Sequence, residues 1–268
     1  MVVIDSHCHA SPVWYEPVES LLAEMERNGV DHAVLIQMQG QFDNEYQFEC
    51  VRRYPGRFAS VVVVDVARPD APETLARLAE HGAGGLRLKA ADRSPGADPL
   101  AIWRAAARRG LPVSCLGSSA DFAADEFARL VEALPELRVV VEHLGSANRP
   151  DADGAQRALR RRVFDLARYP NVFIKIHGLG EFCERALPVT APFPFREPVP
   201  PLLAEAHATF GARRMMWGSD FPPVSGREGY QNALRLPRER LARLPGVSAD
   251  DLDLIFGGTA LSVFPPRG

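Results

Sequence analysis

Cysteine is scarce in this sequence, and its positions argue against a disulfide framework. The 268 residues contain four cysteines, Cys8, Cys50, Cys115 and Cys183, and no two of them form a CxxC pair. We interpret these scattered residues as reduced thiols and expect a cytoplasmic protein. Side chains alternate along a strand, which turns Cys8 away from the histidines on either side, so Cys8 is expected to be a packing residue.

Long apolar runs and an excess of basic charge are also missing. No run reaches the roughly 20 residues that span a bilayer, and the first residues lack the basic-then-apolar pattern of a signal peptide. The net charge of -3 provides no basic surface for nucleic acid or for an anionic membrane. We therefore expect a small-molecule substrate, with no nucleic-acid or membrane partner, and leave open a homo-oligomer.

What the sequence does contain is a regular alternation of short apolar runs and amphipathic stretches. The apolar runs are rich in Val, Ile and Leu, as buried parallel strands are. The predicted strands are 2–9, 32–37, 58–65, 84–89, 111–116, 137–144, 171–177 and 214–220. The predicted helices include 18–28, 72–81, 99–109, 124–134, 156–169 and 198–210.

Eight strands joined by helical crossovers predict an α/β fold, the (β/α)8 TIM barrel, formed by residues 1–268 as a single domain. A doubly wound open sheet is the competing architecture, but no GxGxxG motif follows the first strand. The proline-rich segment 188–198 follows the seventh strand. It is expected at the C-terminal mouth of the barrel, as an apolar wall or lid or as a plain connector.

Polar residues collect at the C-terminal ends of the predicted strands, where barrels of this kind carry their catalytic groups. Alternation places His7 and His9 on one face together with Asp5. Ionisable groups are costly to bury without partners, so several at the same end are difficult to explain as packing. The candidate site residues are His7, His9, Arg87, Lys89, His143, Lys175, His177 and Asp220.

The residue types indicate the chemistry. Asp220 is suited to bind a metal or to act as a general base toward water. Two or three imidazoles, from His7, His9 and His143, either bind a divalent cation or donate hydrogen bonds to a developing oxyanion.

Arg87 and Lys89 supply fixed positive charge for a carboxylate or polyhydroxy substrate. For Arg87, a salt bridge to Asp5 or Glu142 inside the barrel is an equal alternative. Lys175 carries the same ambiguity.

Six segments together resemble the amidohydrolase superfamily, and more narrowly its amidohydrolase-2 branch of TIM-barrel metal-dependent hydrolases. The resemblance spans nearly the whole chain, and its most specific part is the early HxH with the late GSDFP. The segments are IDSHCH (4–9), GLRL (85–88), VEHLG (141–145), NVFIKI (171–176), MWGSDFP (216–222) and IFGGTA (255–260).

The resemblance implies a hydrolase or, in some relatives, a non-oxidative decarboxylase. In this superfamily the metal is held by the first-strand HxH, a fifth-strand histidine and the eighth-strand aspartate. His7, His9 and Asp220 map to these ligands, with zinc or manganese reasonable by ligand type, and His143 maps to the sixth-strand position. The predicted fifth strand departs from the pattern, because it contains no histidine and its nearest polar group is Cys115 or Ser114.

That departure resembles the sugar-lactone and pyrone-dicarboxylate lactonases, some of which act without metal. The resemblance implies that Asp220 activates water, that the histidines polarise the carbonyl, and that Arg87 holds a substrate carboxylate or hydroxyl. His177 stands where that branch has a small hydroxyl residue, so it either compensates for the missing histidine or changes the substrate.

We therefore expect a lactonase-like hydrolase with Asp220, His143 and His177 as catalytic residues. Arg87, Lys89 and Lys175 are expected to bind substrate. Two alternatives remain. One is a metal-dependent decarboxylase of a small carboxylic acid, with His177 as an additional acid or base. The other is a non-catalytic barrel that only binds a small ligand.

Overall fold

The sheet of the molecule consists of eight parallel strands that pair in chain order, which confirms the predicted (β/α)8 barrel. The computed structural model describes residues 2–147, 154–189 and 193–266. The strands are β1 (Ile4–Cys8), β2 (His32–Ile36), β3 (Phe58–Val62), β4 (Gly85–Lys89), β5 (Val113–Leu116), β6 (Val139–Val141), β7 (Val172–Ile176) and β8 (Met215–Trp217).

The helices cover the outside of this sheet. All six predicted helices are present to within a few residues, whereas the sequence patterns did not single out the helices at Glu45–Arg53 and Ser119–Phe122 or those after β8. The helices are α1 (Val18–Asn28), α2 (Glu45–Arg53), α3 (Ala71–Glu80), α4 (Ala101–Arg108), α5 (Ser119–Phe122), α6 (Asp125–Ala133), α7 (Gly154–Phe164), α8 (Leu202–Phe210), α9 (Tyr230–Ala242), α10 (Ala249–Asp253) and α11 (Thr259–Val263). Within the described residues, no helix is both long and apolar enough to cross a membrane.

The barrel closes where the segment after β8 lies beside β1. The backbone N–H of Asp220 donates to the carbonyl oxygen of His7 at 2.8 Å, and that of His9 donates to Phe221 at 2.8 Å. The two segments approach so closely that a Cβ on Gly218 would lie 2.6 Å from the Cβ of His7. Only glycine fits this contact, which brings the first and last strands of the barrel together at the site.

The expected alternation of β1 is wrong at Asp5. The pairing register with β2 shifts between Asp5 and Cys8, so Asp5 does not share a face with the histidines. Its carboxylate instead accepts hydrogen bonds from the Tyr230 hydroxyl on α9 at 2.8 Å and from the Ser219 N–H at 2.8 Å. Asp5 therefore fixes β1 to β8 and α9. Cys8 is fully buried in the apolar core, as expected.

The interior of the barrel has two parts. We call the apolar cluster on which the C-terminal segment packs the lower layer. It comprises Ile4, Val34, Ile36, Ala59, Val61, Val140 and Met216, together with Ala260, Val263 and Phe264 from the C-terminal segment. We call the buried polar residues above it, Arg87, Ser114, Glu142 and Lys175, the upper layer. A second, larger apolar core lies between strands and helices.

Candidate active site

A pocket of about 740 Å³ opens at the C-terminal end of the barrel. The ends of strands supply its floor, and the loops after β1 and β2 supply one wall, which is aromatic and polar. The lining residues are His9, Val13, Trp14, Tyr15, Met38, Gln39, Gly40, Gln41, Arg87, Leu116, His143 and Asp220. The pocket thus lies where the sequence predicted the catalytic groups.

Asp220 presents its two carboxylate oxygens to different partners. It follows β8 in the left-handed region, with φ of 59°, a conformation that is rare outside glycine and frequent at functional sites. Its Oδ2 accepts a hydrogen bond from Arg227 Nη1 at 2.8 Å. Its Oδ1 lies 3.8 Å from His7 Nε2 and 3.7 Å from His9 Nε2. One oxygen is therefore held in place, and the other faces two imidazoles.

Burial acts to raise the pKa of Asp220, but His9 and His143 outweigh it and hold that pKa well below its ordinary value. The carboxylate is therefore ionised at neutral pH and can accept a proton.

His9 is oriented by the backbone of the neighbouring strand. Its Nδ1 lies 2.6 Å from the carbonyl oxygen of Ile36, and a carbonyl only accepts, so Nδ1 carries the proton. Its Nε2 faces Asp220 Oδ1 at 3.7 Å. The ring of Tyr15 stacks on the imidazole at 5.1 Å between centroids, which fixes the ring plane.

His143 begins a left-handed turn two residues after the end of β6, and Glu181 orients its ring. His143 Nδ1 lies 2.8 Å from Glu181 Oε1. Burial acts to lower the pKa of His143, but the Glu181 carboxylate outweighs it and raises that pKa above its ordinary value. For Glu181 the effects have the opposite signs. Burial acts to raise its pKa, but His177 and His143 outweigh burial and lower the pKa to about 2. The pair therefore favours an imidazolium beside a carboxylate.

His177 stacks on His143, with 4.2 Å between centroids and an angle of 16° between the ring planes. Burial lowers its pKa to about 4, so this ring is neutral at pH 7. Within the described part of the chain, neither of its ring nitrogens has a hydrogen-bond partner. The structure places His177 in the cluster that the sequence predicted.

Charged hydrogen bonds in the upper layer link β4, β5 and the residues that follow β2 and β6. Arg87 Nε and Nη2 donate to the two oxygens of Glu142 at 3.1 and 2.8 Å, and Nη1 donates to the carbonyl oxygen of Gln37 at 3.0 Å. The Ser114 hydroxyl donates to Glu142 at 2.7 Å. The salt bridge that the sequence left open for Arg87 is thus made with Glu142.

The two lysines occupy different environments. Lys175 is fully buried below the pocket, 2.8 Å from Ser114 Oγ and 3.1 Å from His7 Nδ1. Burial lowers its pKa to about 8, which still leaves an ammonium at neutral pH. Lys89 is exposed at the end of β4, and neither lysine is among the described residues that line the pocket. Their roles as substrate-binding residues stay predictions, which this placement does not support.

Sequence reasoning missed three charged residues in the loops after β7 and β8. Glu181 orients His143, and Arg227 holds Asp220. The buried Glu228 accepts a hydrogen bond from the Gly180 N–H at 3.1 Å, and a Cβ on Gly180 would collide with its carboxylate. No periodicity marks any of these residues, because loops rather than strands position them.

Of the expected lid, residues 190–192 lie outside the described residues. In the described remainder, Phe195 is buried and bridges to Arg185, and the ring of Phe193 lies under Arg240 of α9 at 5.2 Å. The pocket lining includes no described residue of this segment. The described part of the segment therefore packs against α9 and the loop after β7, and it forms no wall of the pocket.

The family model for amidohydrolases matches residues 4–265 of this sequence. The chain belongs to the amidohydrolase family. An L-fucono-1,5-lactonase from Burkholderia ambifaria is 30% identical to this amidohydrolase over 222 residues, which are 80% of this chain and 71% of the relative. Family and relative together show that the chain is an enzyme and a hydrolase.

Solved structures of other members share the fold of this amidohydrolase. A candidate 2-pyrone-4,6-dicarboxylic acid hydrolase from Pseudomonas putida matches with a TM-score of 0.74 at 24% identity, over 98% of this chain and 97% of that one. An amidohydrolase from Burkholderia multivorans with bound zinc matches with a TM-score of 0.76 at 20% identity, over the whole of both chains.

Amidohydrolases typically use a divalent metal, and the donor atoms of His7, His9 and Asp220 are grouped closely enough to hold one, within 4.8 Å of one another. Histidines that bind metal almost always donate their other ring N–H to an acceptor. His9 meets this condition through Ile36. His7 does not, because its Nδ1 faces the Lys175 ammonium, which is a donor. The spacing of the three donor atoms is that of a metal site, whereas the hydrogen bond from Lys175 to His7 Nδ1 does not fit a metal ligand.

Proposed function

We propose that this amidohydrolase opens a lactone ring, with Asp220 as the general base that activates water. The observation that carries the proposal is that the two carboxylate oxygens of Asp220 have different partners. Arg227 holds Oδ2, while Oδ1 faces His7 and His9. Asp220 and His9 line the pocket, and His7 is fully buried beside them. The lactonase relative from Burkholderia ambifaria supports the reaction class.

The reaction follows from the hydrogen-bonding capacity of each group. A water molecule donates one proton to Asp220 Oδ1, and its oxygen attacks the lactone carbonyl carbon. The carbonyl oxygen becomes an oxyanion, which accepts hydrogen bonds from His7 and the His143 imidazolium. The carbon–oxygen ring bond then breaks, and the leaving ring oxygen takes a proton that Asp220 had accepted. The product is a hydroxy acid.

The charge balance of the pocket favours an uncharged, polyhydroxy lactone. Glu142 neutralises Arg87 and Asp220 neutralises Arg227, while Lys175 lies beneath the floor. Arg87 keeps two N–H groups that are available for a hydroxyl or carbonyl oxygen, without net charge to offer a carboxylate.

The wall of the pocket supports the same substrate class. Gln39 and Gln41 supply amides for hydroxyl groups, and Trp14 and Tyr15 supply aromatic faces. Lactones of sugar acids combine the hydroxyl groups and the apolar C–H faces that such a wall binds.

The test is a substrate panel measured by acid release with a pH indicator. L-fucono-1,5-lactone represents the uncharged class and 2-pyrone-4,6-dicarboxylate the charged class. We expect kcat/KM to favour the sugar lactone by at least about tenfold. Preference for the dicarboxylate would overturn the substrate class.

Carbon dioxide release from a carboxylated substrate, measured in parallel, would replace hydrolysis by decarboxylation. Tight binding of the lactones by calorimetry with no turnover would indicate a barrel that only binds its ligand.

A further inference from the structure

At Nδ1, His7 accepts a hydrogen bond, whereas a metal-bound histidine donates one from its second ring nitrogen. A chain of contacts fixes this direction. A carboxylate only accepts, so the Ser114 hydroxyl uses its one O–H to donate a hydrogen bond to Glu142 at 2.7 Å. Ser114 Oγ must therefore accept from Lys175 Nζ at 2.8 Å. Lys175 has further N–H groups, and His7 Nδ1 lies 3.1 Å from its nitrogen.

The surroundings of Lys175 stabilise an ammonium. Its nitrogen lies 5.5 Å from the centroid of the Phe264 ring, within the range of a cation–π contact. Through Ser114 it is also joined to the fully buried carboxylate of Glu142. An ammonium carries no lone pair, so His7 Nδ1 has to accept the hydrogen bond, and the single proton of the ring is placed on Nε2.

We propose that Lys175, held by Ser114, is a positioning residue that fixes His7 as the Nε2–H tautomer, so that His7 donates to the lactone carbonyl oxygen and offers no lone pair to a metal ion. The part that concerns the carbonyl rests on the proposed function. His7 Nε2 is buried and has no hydrogen-bond partner within the described residues. His7 does not itself line the pocket, but its Nε2 lies 3.8 Å from Asp220 Oδ1, which does. An unpaired buried donor is costly, and a substrate oxygen bound beside Asp220 would satisfy it.

The position of Ser114 explains why β5 contains no histidine. The family resemblance expects a histidine ligand from this strand, and Ser114 is the β5 side chain that faces the upper layer. Its hydroxyl bridges Glu142 to Lys175, and an imidazole ligand in its place would break this bridge. The same serine therefore removes one metal ligand and sets the tautomer of another.

The first experiment reads the tautomer of His7 in the unmodified protein. Long-range proton–nitrogen NMR on protein labelled with ¹⁵N-histidine separates protonated from unprotonated ring nitrogens, and His7→Gln assigns the signal. We expect a protonated Nε2 and an unprotonated Nδ1. A proton on Nδ1 would overturn the inference, whatever the protein hydrolyses.

The second experiment replaces the lysine and measures two effects of opposite sign. In Lys175→Met, Nδ1 loses its donor, so Nε2 can turn a lone pair toward the site. We expect Zn²⁺ affinity, measured by calorimetry on metal-free protein, to rise at least about tenfold. Metal-free kcat on the best lactone should fall about a hundredfold, with a smaller change in KM.

Two further variants complete the test. Ser114→Ala keeps Lys175 but removes the hydroxyl that accepts its hydrogen bond. We expect a smaller rise in Zn²⁺ affinity and a smaller fall in kcat than in Lys175→Met. Arg129→Met removes an exposed cation on α6 and should change neither quantity. Unchanged zinc affinity in both Lys175→Met and Ser114→Ala would contradict the inference. Absence of lactone turnover would contradict only the proposed function, since the NMR and zinc measurements need no substrate.

Discussion

The lower and upper layers of the barrel interior have the same burial but opposite chemistry. Ile4 and Val61 in the lower layer are 1% and 0% exposed, and Lys175 and Glu142 in the upper layer are 0% and 1% exposed. The lower layer gains free energy by leaving water and needs no partners. The upper layer is tolerated only because its charges are paired and hydrogen-bonded to one another. One layer therefore supplies stability, and the other holds the groups above it in position.

The largest loss of activity is expected at Asp220, in the pocket at the polar end of the barrel. Asp220→Asn keeps the shape of the side chain but removes the base, so kcat should fall by about a thousandfold or more. Because the side chain stays isosteric, we expect the thermal midpoint to change by only a few degrees. Steady-state kinetics and a melting curve measure both; retention of near-normal kcat would rule out Asp220 as the base.

A cavity in the lower layer should have the reverse effect. Ile4→Ala leaves a void in a packed cluster and should lower the free energy of unfolding by about 2–5 kcal/mol. The kcat per folded molecule should stay within about twofold, since no lower-layer side chain lines the pocket. Urea unfolding and active-site titration separate the two quantities. A large loss of kcat with little loss of stability would show that the layers are not distinct.

Acid should destabilise the protein through the polar end of the barrel. The pKa of Glu142 is about 2, below its ordinary 4.5, because the charges of Arg87 and Lys175 outweigh the effect of burial. Its stabilisation is present above pH 4.5 and is lost as the pH falls toward 2. Burial lowers the pKa of His177 from 6.5 to about 4, so protonation of the unfolded chain reduces stability as the pH falls from 6.5 to 4.

Urea unfolding between pH 7 and pH 3 measures this loss. We expect the free energy of unfolding to fall throughout that range. His177→Gln should flatten the part between pH 6.5 and pH 4 and leave the loss at lower pH. An identical pH profile in this variant would contradict the assignment.

The smallest effect is expected at the rim of the pocket. Trp14 is 72% exposed and lines the wall, so Trp14→Ala should raise KM for a sugar lactone about three- to tenfold and leave kcat nearly unchanged. A loss in kcat instead of KM would show that Trp14 acts on the reacting atoms rather than on binding.

Much of the site could be read from the order of residues along the strands. Alternation with a period of two is a local property, so His7 and His9 were correctly placed on one face. Parallel strands carry their C-terminal ends to one side, which brought His143, His177 and Asp220 together. The same reasoning was wrong for Asp5, because the register shift in β1 is set by its pairing with β2.

The sequence by itself therefore determined the barrel, the order of its strands and the end at which the reactive groups collect, since hydrophobic period and chain order decide all three. Only the tertiary structure decided which charges neutralise one another. Lys175 meets His7 across 168 residues of chain, Arg87 meets Glu142 across 55, and the loops bring Glu181 and Arg227 to the site. Such contacts depend on closure of the barrel, which sets directions and distances that no local pattern encodes.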